Sequence, residues 1–342
     1  MTTLHATRGA NFWSRRPVTR MDLAVGAYED ISSADVKGFT EALVDAMPGL
    51  RDHRCSIGEP GGFIMRLRDG TYAPHIVEHV ALELQTMIGH DVGFGKTRGG
   101  GVPGEYTLVF EHLHEQVGLR SAALALEVVQ RAFVGTLDGV GYATAELASL
   151  AETSKIPDLK QRICCGITGG SGRAETRAEM LRQGFDCNEL IVEVAPSYLL
   201  QAGLPYSRSE MAVIVDANIV DVPSRYAERD RAAQLLSVVA DGVQRNGVVV
   251  VPAKEWEIQE MVRDADCRLA IFSTRNNITR RDKKLARTSV WVDGRRIVIE
   301  HLGDRIEGGW LQDDINETAQ IAAATAVFSL KQLQPAATGR EA

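Results

Sequence analysis

The sequence predicts a two-domain α/β protein: an α+β domain in the first half, then a domain built on a parallel sheet. Three observations carry this. A length of 342 residues corresponds to about two domains. Residues 1–145 mix loosely alternating stretches with amphipathic helical patterns, and six of the eight histidines fall between His53 and His114. From residue 161 the pattern changes to short aliphatic runs separated by helical stretches, as expected of buried parallel strands joined by helices.

In the first half, residues 21–27 (MDLAVGA) read as a strand. Residues 35–47 read as a helix, because Val36, Phe39, Leu43 and Met47 share one face. Residues 61–68 (GGFIMRLR) read as a strand, and 74–88 as a helix with Pro74 near its first position and Gly89 after its end. The glycine-rich residues 93–104 (GFGKTRGGGVPG) read as a loop, 106–110 as a strand and 119–137 as a helix. Residues 144–160 read as a weakly helical connector, with the linker placed at 146–160. In the second domain, residues 161–332, strands are expected at 190–194, 211–215, 248–251 and 269–272, and helices at 229–243, 256–265 and 314–330. Residues 289–299 read as a hairpin turning at Asp293-Gly294. Residues 333–342 are expected to be a disordered tail.

Composition excludes several classes. Hydrophobic residues make up 44% and charged residues 24%, values of an ordinary globular protein. A net charge of −7 argues against a nucleic-acid binder. The five cysteines contain no CxxC pair, which excludes a cysteine-rich zinc site. The first residues lack an apolar core of a signal peptide, and no aliphatic run is long enough for a bilayer, so a cytoplasmic protein is expected.

The chemistry-bearing motif is HIVEH, His75 to His79. Four residues apart on a helix, His75 and His79 lie on one face and can share a metal ion. Glu78 is placed to act on a metal-bound water, the H-x-x-E-H order of a zinc hydrolase. A third ligand is required; Glu111, at the end of a strand, is preferred and Glu83, one turn beyond His79, is second. His53, His90, His112 and His114 are further candidates. The competing reading is a polar helix face, but Ile76, Val77, Val80, Leu82 and Leu84 make this helix apolar enough that its polar groups need partners. Lys96 and Arg98 in the glycine-rich loop are candidate substrate contacts. GITGGSG at residues 166–172 is followed by Arg173-Ala174 and lacks the lysine and hydroxyl of a phosphate loop, so it reads as a turn before a helix and no ATP is expected.

Several stretches resemble the N-terminal domain of the cyanophycin synthetase family: TRGANFWS at 7–14, GGFIMRLRDGTY at 61–72, HIVEHVALELQ at 75–85, VGFGKTR at 92–98 and PGEYTLVFE at 103–111. The resemblance implies a polymer-binding module or a metallopeptidase-like site, with His75 and His79 as ligands and Glu78 as base. Residues 189–215 resemble part of the family's Mur-ligase-like central domain, which implies a Rossmann-like sheet with Glu193 at a metal-binding position. The departures are large. The lysine-bearing nucleotide loop is absent, Pro196-Ser197-Tyr198 and Asp221-Val222 replace expected motif residues, and no ATP-grasp stretch lies between the halves. The resemblance therefore implies a zinc-dependent hydrolase of amide bonds in cyanophycin-like peptides, and a homo-oligomer by analogy. Its alternatives are an inactive binding or regulatory partner of a full-length cyanophycin synthetase or its polymer, and a remnant ATP-dependent ligase.

Overall fold

The computed structural model describes residues 1–154, 162–185, 190–263 and 265–333. They fall into two compact units, Met1–Arg8 with Trp13–Asp158, and Gly9–Phe12 with Leu159–Ala342.

The first unit contains an antiparallel sheet of β1 (Thr3–Ala6), β2 (Val18–Ala24), β3 (Gly95–Gly99) and β4 (Glu105–Glu111), in the order β1-β2-β4-β3. The inner strands bury Val18, Met21 and Leu23 on β2 and Leu108, Val109 and Phe110 on β4. Helices α1 (Phe39–Ala46), α2 (Gly62–Asp69), α3 (Ala73–Met87), α4 (Glu115–Phe133) and α5 (Gly141–Thr153) complete the unit. Ile76, Val77, Val80, Ala81 and Leu84 of α3 have no solvent exposure. A helix apolar on so much of its surface lies inside the domain, so the polar side chains it carries are brought into the interior with it.

Three stretches differ from the sequence reading. Residues 61–68 are not a strand but most of α2: Phe63 and Leu67, four apart, are buried while Met65 between them is exposed, a helical period. Part of the expected loop 93–104 is β3, paired with β4 from Gly95↔Phe110 to Gly99↔Tyr106. A polar, glycine-rich edge strand has no apolar alternation to announce it; backbone hydrogen bonding alone forms it. The expected connector begins as α5, whose Ala143 and Leu147, with Val140 before them, join the core of the first unit. Residues 155–161 lie outside the described residues.

The second unit has an eight-stranded sheet in the order β12-β11-β10-β9-β8-β7-β5-β6. Strands β6 (Ile191–Glu193), β5 (Arg162–Thr168), β7 (Arg208–Ile214), β8 (Val243–Pro252), β9 (Arg268–Ser273) and β10 (Thr288–Asp293) run parallel. β11 (Arg296–His301) and β12 (Asp304–Trp310) continue it antiparallel. The hairpin of β10 and β11 turns at Asp293-Gly294 as expected, with Gly294 at φ 63°. Val248 to Val251 are buried, as a strand covered on both faces requires. Helices α6 (Arg173–Arg182), α7 (Arg229–Asp241), α8 (Trp256–Arg263) and α9 (Glu317–Leu333) are the longest among the unit's described residues. The expected tail lies almost wholly in residues 334–342, outside the described residues. No helix among the described residues is long and apolar enough to cross a membrane.

Candidate metal centre

His75 and His79 lie one turn apart on α3, with ring centroids 4.9 Å apart. A third side chain joins them from a short 3-10 turn at Cys55–Ile57. Cys55 has φ 53°, in the left-handed region that non-glycine residues rarely occupy, and its Sγ lies 3.4 Å from His75 Nε2. One ligand atom from each of Cys55, His75 and His79 lies within 4.8 Å of the other two. A thiolate and two imidazoles are a donor set that suits zinc, and three protein ligands leave one position open.

The histidines are in the state a metal needs. Burial, then the nearby Arg66 guanidinium, pushes the His75 pKa down to about 4. Burial, then His75, His53 and Arg66, pushes His79 down to about 2. Both rings are therefore neutral at neutral pH, so binding need not displace a proton from them. His75 Nδ1 meets Thr71 Oγ1 at 3.0 Å. Phe63 stacks on the His79 ring at 3.9 Å. His79 Nδ1 meets His53 Nδ1 at 2.9 Å, and His53 Nε2 meets Glu83 Oε2 at 3.0 Å.

Glu78 lines the same cavity, a space of about 910 Å³ that also reaches Arg66, Tyr72 and Lys96. Burial raises its pKa to about 7, against the opposing effect of a hydrogen bond donated by Thr97 Oγ1. Thr97 lies on β3, where a Cβ added at Gly95 would stand 2.5 Å from Glu78 Oε1. The edge strand can lie against this carboxylate only because glycine is there.

The structure brings together His75, Glu78, His79, Glu83 and Lys96 around one cavity, and Arg98 is not among its lining residues. Glu111, the preferred third ligand, lines no part of it. Its carboxylate accepts from the backbone of Gly93 and Phe94, from Ser14 and from Arg16, each at 3.3 Å, and ties down the segment entering β3. Glu83 reaches His53 rather than the Cys55–His75–His79 group. His90 and His114 stack on each other at 5.1 Å, and His112 meets Thr19. Cys55 escaped the sequence reading because no local pattern ties it to a helix 20 residues on.

In the second unit Glu193 makes an ion pair with Arg177 at 3.9 Å. The loop between β5 and α6 is filled by the chain itself. Asp216 accepts from the backbone N–H of Gly170 at 3.2 Å and Ser171 at 3.0 Å, and from the Ser171 hydroxyl at 2.6 Å. A carboxylate thus sits where a phosphate loop presents amides to its ligand.

Residues 20–134 match the model of the cyanophycin synthase-like N-terminal domain. The chain is 34% identical over 251 residues to a cyanophycin synthetase of Trichormus variabilis, covering 72% of this chain and 26% of that protein. It is 45% identical over 147 residues to a cyanophycin synthetase of Synechocystis sp., covering 41% and 16%. The chain thus spans about a quarter or less of these relatives. Among solved structures, a murein peptide ligase Mpl from Psychrobacter arcticus aligns with 54% of this chain and 46% of its own at a TM-score of 0.36 and 11% identity, too distant to bear on this protein's chemistry. Residues 20–134 therefore form a cyanophycin synthase-like N-terminal domain, and the chain is a homologue of the cyanophycin synthetases.

Proposed function

We propose that the first unit is a metal-dependent hydrolase of amide bonds, with Cys55, His75 and His79 as zinc ligands and Glu78 as general acid–base. The observation that supports this most is the convergence of a thiol and two neutral imidazoles beside a buried glutamate in one cavity. Bound zinc would supply Lewis-acid polarisation and a water acidified to near neutral pH. The remaining work falls to the protein. Burial in the metal-free protein raises the pKa of Glu78 toward neutrality, which suits a group that takes a proton from the attacking water and returns it to the leaving amine. Thr97 fixes one oxygen of the carboxylate, and Phe63 holds the His79 ring in place.

The homology supports a cyanophycin-like substrate, a polyaspartate chain carrying arginine, with that polymer or a full-length synthetase as partner and self-association by analogy. Lys96 on the cavity wall is the candidate substrate contact; Arg98 is the weaker one. Ligation is not proposed, because the loop that would receive a nucleotide is occupied by Asp216.

The test is metal content per chain, measured on untagged protein purified without chelators, beside His75→Ala/His79→Ala and Cys55→Ser. Near-stoichiometric zinc, lost in the double variant and weakened in Cys55→Ser, is expected. Absence of zinc from the native protein, with added zinc failing to bind, overturns the reading. Hydrolysis of cyanophycin is then assayed with Glu78→Gln, which should retain metal and lose cleavage.

A further inference from the structure

We infer that Glu83 and His53 are positioning residues that fix the tautomer of His79, leaving its Nε2 as the nitrogen free to act as a ligand. The inference follows from counting protons along a chain of contacts. A carboxylate only accepts hydrogen bonds, so His53 Nε2, 3.0 Å from Glu83 Oε2, is the donor. When the His53 ring carries a single N–H, its Nδ1 is then an acceptor. Its 2.9 Å contact with His79 Nδ1 needs a donor, which must be the His79 Nδ1–H. His79 Nε2 is left bare.

The arrangement is held on each side. Glu83 is 3% exposed, so its carboxylate has little water to turn to. Gly49 packs against it so closely that a Cβ there would overlap Glu83 Oε1. Phe63 stacks on the His79 ring and opposes its rotation. Hydrogen-bond partners on the far nitrogen of a ligating histidine orient it and raise its basicity, and their loss typically weakens metal binding 10- to 100-fold. Glu83, a candidate ligand by spacing alone, acts instead through His53.

The role in metal binding rests on the proposed function, but the tautomer is a property of the metal-free protein. Spectra of 15N-histidine-labelled protein without metal, at pH 7, should show His79 protonated at Nδ1 and bare at Nε2. A His79 protonated at Nε2, as a doubly protonated His53 would enforce, overturns the inference. Glu83→Gln offers an amide that donates as readily as it accepts; His79 should become a tautomer mixture and zinc should bind about 10- to 100-fold more weakly. Gly49→Ala presses on the same carboxylate from the other side and should act in the same direction. An unchanged tautomer and unchanged zinc affinity in both variants also overturns the inference. A tautomer that shifts as expected in a protein that binds no zinc supports the positioning and removes the hydrolase reading instead.

Discussion

The hydroxyl of Thr97 donates a hydrogen bond to the carboxylate of Glu78, joining the edge strand β3 to the helix that carries the metal motif. This bond favours the charged carboxylate, while burial favours the neutral acid. Thr97→Val removes the first influence and leaves the second. The Glu78 pKa should rise above about 7, and the acidic limb of the pH–rate profile should move up with it. Cleavage at pH 7 should fall several-fold with zinc still bound. An unshifted limb in Thr97→Val would show that Glu78 is not the group that titrates.

Glu78 also makes stability depend on pH. Its folded pKa, about 7, lies above the ordinary glutamate value of 4.5. Below pH 4.5 both states are protonated and the group costs nothing; between 4.5 and 7 the unfolded chain ionises while the fold holds the proton, so stability is lost as pH rises. The full difference is about 3 kcal/mol. Glu78→Gln should therefore gain stability relative to the native protein between pH 4.5 and 7, reaching about 3 kcal/mol by pH 8. Denaturant midpoints across that range measure it, and a constant difference from pH 4 to 8 contradicts the burial account.

What could be read from the sequence was what lies close along the chain. His75, Glu78 and His79 share a helical turn, and spacing alone brings them to one cavity. Cys55 comes from a turn 20 residues away and its left-handed backbone has no signature in the sequence, whereas His53 is visible there only as one of several candidate ligands. Glu111 misled because the end of a strand looks free to reach a neighbouring helix, whereas the amides of Gly93 and Phe94 hold its carboxylate. The same limit shaped the fold. Val248 to Val251 announce a buried strand, but β12, with six of its seven residues exposed, is formed by its pairing with β11 and went unseen.

His112 provides an independent test of burial in the first unit. Burial, then the neighbouring His114, pushes its pKa from 6.5 down to about 4, while its Nδ1 meets Thr19. Here the sign is reversed. Above pH 6.5 both states are neutral and the group costs nothing; between 6.5 and 4 the unfolded chain takes up the proton and the fold does not. His112 alone should take about 3 kcal/mol from stability as pH falls through that window. His112→Asn should make this slope shallower by the share of one histidine and leave the shares of His75 and His79, whatever its effect on stability at pH 7. Thermal or denaturant melts between pH 4 and 7 that keep the native slope in the variant would place the acid sensitivity elsewhere.

Asp216 is 5% exposed and gathers three backbone donors, Gly170, Ser171 and Asn218, with the Ser171 hydroxyl. These donors all converge on one carboxylate, so the shape of the loop depends on that side chain. Asp216→Ala leaves the amides without that acceptor and should cost the second unit about 3 kcal/mol, with Asp216→Asn intermediate because one amide oxygen remains. The vacated loop then presents backbone N–H groups at the start of α6, so added inorganic phosphate should recover part of the loss in Asp216→Ala and none in the native protein. Urea unfolding with and without phosphate measures both effects. A variant as stable as the native protein would mean that the loop holds its shape without the carboxylate. Phosphate stabilising both proteins equally would mean that Asp216 does not fill the loop.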